Sequence, residues 1–157
     1  MRTDGRADIQ TDGRADTRTD IVDRDDIELV VRNFYRDAAM DDVLGPVFEA
    51  ANVNWNAHIA TLIDFWAWQL LGEARYDGQP LLAHESVHAR TPLSHAHYQR
   101  WVELFCETID VAFRGPSAEV AKGRGRKMAS AMERLLSGVS ACGSEPIEPL
   151  WRRVDPG

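Results

Sequence analysis

The stretch from Tyr76 to Phe105, YDGQPLLAHESVHARTPLSHAHYQRWVELF, guides the interpretation of the whole chain. It contains four of the five histidines among 157 residues. Pro80 suits the first turn of a short helix that runs to about His88, because a helix start leaves backbone N–H groups unpaired in any case. Thr91-Pro92 then predicts a cap and the first turn of a longer helix that continues to Ala112.

The histidines in this stretch allow more than one chemical role. His84 to His88 reads HESVH, the pattern in which two histidines on one helical face hold zinc and the glutamate acts as a base. The segment is short, no third ligand stands out, and no strand is predicted along which a substrate could lie. A zinc-dependent hydrolase at His84, Glu85 and His88 is kept as an alternative, as is a cofactor-free helical interaction module.

A haem iron is the other metal that these residues suit. Haem needs an apolar slot between helices, one neutral imidazole as an axial ligand, and donors on the side where a gas binds. Three side chains that can donate hydrogen bonds lie among apolar ones, namely Tyr35, His58 and the indole of Trp101. Apolar walls are available from Phe34, Phe48, Leu62, Phe65, Trp66 and Trp101.

Apolar residues recur at helical spacing through the rest of the chain, and no strand pattern is found. Asp25 and Asp26 are candidate caps for a first helix, whose stripe is Ile27, Val30, Val31, Phe34 and Ala38. Leu44 to Phe48 predicts a corner, since a proline disfavours helix in the residue before it. Asn54 predicts the cap of a helix that ends near Leu71.

The end of the chain completes the predicted domain. Gly115-Pro116 predicts a connection, and Ser117 is a candidate cap for the last helix. The sequence thus predicts an all-α domain of about five helices over residues 23 to 138.

Two terminal segments are expected to lie outside this domain. The hexapeptide TDGRAD occurs at Thr3–Asp8 and again at Thr11–Asp16, in a segment with little apolar area to offset its ordering entropy. We predict a disordered low-complexity tail at residues 1 to 22. A second one is predicted at residues 139 to 157, where Gly, Ser, Pro and Glu recur.

Bulk properties limit the partners and the compartment. The net charge of −7 argues against a nucleic-acid surface, and no apolar run reaches the length of a membrane span. The polar first 28 residues do not suggest a signal peptide. Two distant cysteines predict no disulfide framework, which fits a reducing cytoplasm. There is no C-x-x-C-H motif, so a haem would be held without thioether bonds.

Taken together, these motifs resemble the group III branch of the truncated haemoglobins, over about residues 27 to 137. They are Asn33-Phe34-Tyr35, Leu44-Gly45-Pro46-Val47-Phe48, Trp55-Asn56-Ala57-His58, Phe65-Trp66, Leu70-Leu71-Gly72-Glu73, Tyr76-Asp77-Gly78-Gln79-Pro80 with His84, and Trp101-Val102-Glu103-Leu104-Phe105. The glycine pairs that mark the other two branches are absent. The resemblance implies a truncated globin-like two-over-two helical sandwich that binds haem b.

The resemblance also implies roles for individual residues. Tyr35, His58 and Trp101 match the tyrosine, histidine and tryptophan on the family's distal side, where the gas ligand binds. Phe48 matches a phenylalanine that packs on the haem face. Leu62, Phe65, Trp66 and Phe34 are expected to contribute the other apolar contacts with the cofactor.

The axial ligand is the one position where the chain departs from the family. The family's proximal histidine lies four residues after the proline, which selects His84 as the iron ligand. His84 is 17 residues before Trp101, however, and the usual distance is shorter. His88, 13 residues before Trp101, fits that distance better and is kept as the second candidate. An insertion after His84 explains the difference more simply, because loops absorb length cheaply. His95 and His97 are expected to face solvent.

The resemblance implies O₂, CO and NO as ligands. It allows O₂ binding or transport, NO dioxygenation and peroxide chemistry, and a fold does not decide among such activities. A catalytic role would require a reductase as a partner.

Overall fold

The computed structural model describes Gly13 and residues 15–141, with side chains as far as Ser137. Within that part of the chain the secondary structure is helical, which confirms the all-α prediction. The helices are α1 (Arg24–Met40), α2 (Gly45–Ala51), α3 (Trp55–Leu71), α4 (Pro80–Arg90), α5 (His95–Ala112) and α6 (Pro116–Ala141).

The long helices pack as two pairs around one core. α1 lies against α3, α5 lies against α6, and contacts between α1 and α5 join the pairs. Phe34 and Ile109, one from each pair, are fully buried at this junction. The short helices α2 and α4 contact each other, and α4 also reaches α6. This arrangement leaves a space between the two pairs that α2 and α4 border.

Helices α1 and α3 begin at side chains that accept hydrogen bonds from the first turn. Asp23 caps α1 by accepting the N–H of Asp26, whose carboxylate in turn accepts the N–H of Asp23. The predicted caps Asp25 and Asp26 are therefore corrected to Asp23, because a reciprocal pair satisfies two N–H groups instead of one. Asn54 caps α3 as predicted and accepts the N–H of Ala57 at 3.3 Å.

Two other predicted helix starts also differ from the structure. Leu44 to Phe48 is more than a corner, since Pro46 lies in the first turn of the short helix α2. α5 begins at His95, so Thr91-Pro92 lies in the connection before it. Ser94 N–H donates to His97 Nδ1 at 2.9 Å, and this contact satisfies a backbone donor at the observed start.

The segment 15–22 packs on the domain, although it was predicted to lie outside it. The Ile21 side chain is 2% exposed and belongs to the same core cluster as Phe34. Thr19 forms an isolated parallel bridge with Phe113, and its carbonyl oxygen accepts the N–H of Arg114 at 2.9 Å. Burial of Ile21 and local backbone pairing thus anchor a segment whose other residues are mostly exposed.

Asp20 in this segment caps α6 from a distance in the sequence. Its carboxylate accepts the N–H groups of Ser117 and Ala118, each at 2.9 Å, so the cap is Asp20 and not the predicted Ser117. Gly115 allows this close approach, since its φ is +147° and a Cβ there would lie 2.5 Å from Asp20 Cγ. The start of α6 is thereby fixed to the segment before α1.

The remaining boundary predictions concern the ends of the chain. Helix α6 runs to Ala141, three residues beyond the predicted end of the domain. Residues 1–12 and 142–157, which hold most of the two predicted tails, lie outside the described residues. None of the described helices combines the length and apolar character needed to cross a membrane.

Candidate functional site

A cavity of about 660 Å³ lies between the two helix pairs. Its volume falls within the ~300–1,000 Å³ typical of cofactor and small-molecule sites. All six helices contribute to its lining. Most of the lining side chains are apolar, including Leu44, Val47, Phe48, Leu62, Phe65, Trp66, Val87, Leu93, Met128 and Met132. No lysine or arginine lines it among the described residues.

Eight of the ten site residues predicted from the sequence border this one cavity. They are Tyr35, Phe48, His58, Leu62, Phe65, Trp66, His84 and Trp101. They come from α1 to α5, so the predicted positions converge although they are far apart in the sequence.

The other two predicted residues lie outside the cavity wall. Phe34 is fully buried one layer behind it, where its ring makes edge contacts with Tyr35 at 4.6 Å and Trp101 at 5.3 Å between centroids. His88 is half-buried, and its Nδ1 accepts the backbone N–H of Leu93 at 3.0 Å. That contact fixes the connection between α4 and α5.

The His84 ring is fixed by a contact with a backbone carbonyl of its own helix. Its Nδ1 lies 2.6 Å from the carbonyl oxygen of Pro80. A carbonyl oxygen only accepts, so Nδ1 carries the proton and Nε2 of the neutral ring keeps a free lone pair. In His88 the contact with an N–H donor has the opposite effect, because Nδ1 is then the acceptor and Nε2 carries the proton. Of the two histidines, only His84 presents a free outer nitrogen.

Tyr35 and Trp101 form a pair of hydrogen-bond donors at the cavity. The Tyr35 side chain is 7% exposed. Burial raises the pKa of the Tyr35 phenol, and the Trp101 indole N–H, acting as a donor to the hydroxyl oxygen, opposes this to a smaller extent. The phenol therefore stays protonated at neutral pH. Both the Tyr35 side chain and the Trp101 indole line the cavity, where each can donate a hydrogen bond to a bound group.

His58 lies beside Tyr35 in the cavity wall. The two rings meet edge to face, with centroids 5.2 Å apart and an interplanar angle of 88°. Burial lowers the pKa of His58, and a proton on His84 would lower it further by charge repulsion. The imidazole is thus favoured in its neutral form, in which one nitrogen donates and the other accepts.

Some cavity residues were missed or misassigned in the sequence interpretation. His97 was expected to face solvent, but it is half-buried and lines the cavity, whereas His95 is exposed as expected and pairs with Glu133 at 2.7 Å. Tyr76 lines the cavity as well and packs on Phe65 with centroids 5.1 Å apart. Ser94, three residues before His97, is a typical helix-cap residue, so the sequence already indicated that the His97 ring contacts the start of α5.

The zinc alternative finds no support in the structure. Among the described residues, no group of three His, Cys, Asp or Glu side chains is arranged to hold a metal ion. The His88 contact with Leu93 also occupies one nitrogen of a would-be ligand. The groups at the cavity, namely the His84 imidazole with its free outer nitrogen, the apolar walls and the nearby donors, fit a haem instead.

Comparison with known proteins also indicates a haem protein. The chain matches the family model for bacterial-like globins over residues 20–134. The chain therefore belongs to the bacterial-like globin family, whose members bind haem and diatomic gases such as O₂.

Individual relatives narrow the resemblance within that family. The group 3 truncated haemoglobin of Campylobacter jejuni is 29% identical over 119 residues, which cover 73% of this chain and 91% of the relative. The crystal structure of group III truncated haemoglobin from Campylobacter jejuni superposes with a TM-score of 0.67 at 28% identity, and covers 76% of this chain and 94% of that one. The predicted group III resemblance and truncated globin fold are confirmed.

Proposed function

We propose that this protein binds haem b in the cavity, with Nε2 of His84 as the axial ligand, and that it reversibly binds O₂, CO and NO. The observation that carries the proposal is the contact between His84 Nδ1 and the Pro80 carbonyl oxygen at 2.6 Å. It fixes the tautomer in which the outer nitrogen can bind a metal, and a hydrogen bond of this kind also orients the ring.

Apolar side chains from several helices would hold the porphyrin. Phe48, Leu62, Phe65 and Trp66 line the cavity, and the rings of Phe65 and Trp66 make edge contact at 5.3 Å. Such walls exclude water and favour a flat apolar ligand, since burial of apolar area contributes roughly 25 cal/mol per Å². When bound, haem would supply an iron centre that takes a diatomic gas.

On the gas-binding side, the chain's own contribution is a set of hydrogen-bond donors. Tyr35 O–H, supported by the Trp101 indole, would donate to a ligand that carries negative charge. His58, neutral and beside Tyr35, would add a second donor or control access. A donor inside a water-poor pocket discriminates between ligands by their charge, because it has no competing water.

An absorption spectrum of the purified protein tests the proposal. Haem titrated into haem-free protein should give a Soret band that saturates at one haem per chain, and CO should shift the band of the ferrous form. Equimolar Zn²⁺ should neither bind stoichiometrically nor compete. Failure to saturate with haem, or stoichiometric zinc binding at the same site, would contradict the proposal.

A further inference from the structure

Helix α6 lies close to aromatic rings of α5 at Gly125. A Cβ built at this position would lie 2.9 Å from both Cδ1 and Cε1 of Phe105 and 3.4 Å from Cζ3 of Trp101. Carbon atoms in good contact are roughly 3.5–4.0 Å apart. Any side chain at position 125 therefore requires one of the two rings to move.

Phe105 has little freedom to move. Its side chain is 2% exposed and stacks between two indoles, with centroids 4.8 Å from Trp66 and 4.9 Å from Trp101. Phe34 meets it edge-on at 5.5 Å. Interiors packed this closely transmit a displacement instead of absorbing it.

Trp101 is the ring that can yield. It is half-buried and lies at the cavity wall, whereas Phe105 is enclosed by packed side chains. A methyl group at position 125 would press on Phe105 and on the Trp101 benzo ring together. The stack would then shift towards the cavity and carry the indole N–H with it, away from its present position at the cavity wall.

We propose that Gly125 is a positioning residue that sets how far the Trp101 indole projects into the cavity. Because position 125 has no side chain, α6 packs directly against the stacked rings of Phe105 and Trp101. This packing sets the position of the Trp101 indole at the cavity wall. The positioning role of Gly125 deepens the proposed function. Only its expected effect on gas binding rests on that function.

Gly123 provides a matched control in the same helix. A Cβ at Gly123 would meet nothing within 4 Å. Gly123→Ala and Gly125→Ala thus make the same chemical change two residues apart in α6, and both raise helix propensity. Only the second one touches the aromatic stack.

The test combines NMR with gas kinetics on the haem-loaded CO complex. The indole Nε1–H resonance of Trp101, assigned by its loss in Trp101→Phe, should move in Gly125→Ala and stay in place in Gly123→Ala. Phe105→Leu in the Gly125→Ala background removes the ring atoms that the methyl group would meet, so the resonance should return towards its original position. The O₂ dissociation rate should change about threefold or more in Gly125→Ala, as expected for a weakened donor.

The NMR resonance tests the positioning role of Gly125, and the O₂ dissociation rate tests the role of Trp101 in gas binding. An unmoved indole resonance in Gly125→Ala, an equal shift in both alanine variants, or no recovery in the Phe105→Leu background would each overturn the positioning role. If Gly125→Ala does not fold while Gly123→Ala does, recovery of folding in the Phe105→Leu background would support the contact with Phe105, and failure to recover would overturn the positioning role. A shifted resonance with an unchanged O₂ rate would support the positioning role and would instead contradict Trp101 as part of the gas-binding machinery.

Discussion

His84 Nδ1 lies 2.6 Å from the carbonyl oxygen of Pro80, four residues earlier in the same helix. Helical side chains tilt towards the N-terminus, so a residue at i+4 covers the turn that begins at i. Proline at the first turn of α4 fixes where the helix starts, and thus where this carbonyl lies. The spacing of four residues between Pro80 and His84 therefore has a physical basis, because the Pro80 carbonyl oxygen selects the tautomer of the His84 ring.

The segment 15–22 should contribute measurably to stability. Ile21→Ala removes a side chain that is 2% exposed and should cost about 2–5 kcal/mol in the free energy of unfolding. Its neighbour Val22 is 70% exposed, so Val22→Ala should stay within about 0.5 kcal/mol of the parent. Urea unfolding of the three proteins measures both values. Equal stabilities would show that the segment does not dock on the domain in solution.

A shortened chain of residues 23 to 138 tests the same segment differently. The sequence alone suggested that such a chain would keep its stability, but it lacks both Ile21 and the Asp20 cap. We expect a lower melting temperature than that of a chain of residues 15 to 141, measured at equal haem loading. Identical melting temperatures would restore the original domain boundary at residue 23.

Asp20 should make this docking depend on pH. Burial raises the pKa of its carboxyl, but the N–H groups of Ser117, Ala118 and Ile21 outweigh burial, so the pKa is lowered. Because the folded-state pKa is below the unfolded value of about 3.9, the contribution is complete above that value. It is lost as the pH falls through the folded-state pKa.

The measurement compares the parent with Asp20→Ala by urea unfolding from pH 7 down to pH 3. The variant should be less stable by roughly 0.5–2 kcal/mol at pH 7, the usual cost of losing a cap, and the difference should shrink below about pH 4. Asp42→Ala, at an exposed carboxylate, serves as the control. A difference that is constant over the whole pH range would argue against a charged cap.

The Tyr35–Trp101 pair should slow the escape of O₂ more than that of CO. O₂ draws more negative charge from ferrous haem than CO does, and a hydrogen bond to a charged acceptor is worth about 1.5–3 kcal/mol. Tyr35→Phe removes only the hydroxyl, so O₂ dissociation should accelerate roughly 10- to 150-fold if the bond is lost in the transition state. CO dissociation should change much less. Stopped-flow displacement of O₂ by CO gives the rates.

The double variant shows whether the two donors act together. Since Tyr35 and Trp101 line the same cavity, Trp101→Phe should also speed O₂ release, and the combined effect should fall short of the product of the single effects. Trp68→Phe is the control, because Trp68 is 46% exposed and does not line the cavity. If Tyr35→Phe stays within about twofold of the parent, less than 0.5 kcal/mol, Tyr35 is not a direct donor.

Much of the site followed from the sequence because strong local signals place it. Apolar residues at helical spacing define α1 and α3, and the Asn54 cap sets the register that turns His58 towards Tyr35. Pro80 likewise sets the register of α4. Each of these features depends on residues within a few positions of one another, which is the range over which pattern reasoning works.

The errors arose where a distant contact outweighed a local signal. Ile21 lies in a mostly polar segment beside the exposed Val22, and only its burial against the core reveals its role. Asp20 caps α6 across almost a hundred residues, so Ser117 was the only local candidate. Thr91-Pro92 and Ser94 both resemble helix starts, and the contact with His97 decides between them. Gly125 offers no sequence signal at all, because its role depends on rings in another helix.

The most direct test of the central claim is imidazole rescue of haem ligation. His84→Gly should lose the ferrous spectrum of the parent and regain it when imidazole is added, because the small ligand fills the space left by the side chain. His88→Gly, four residues away in the same helix, should keep the parent spectrum without imidazole. The opposite pattern, with loss and rescue in His88→Gly and a parent spectrum in His84→Gly, would contradict the assignment of His84 as the iron ligand.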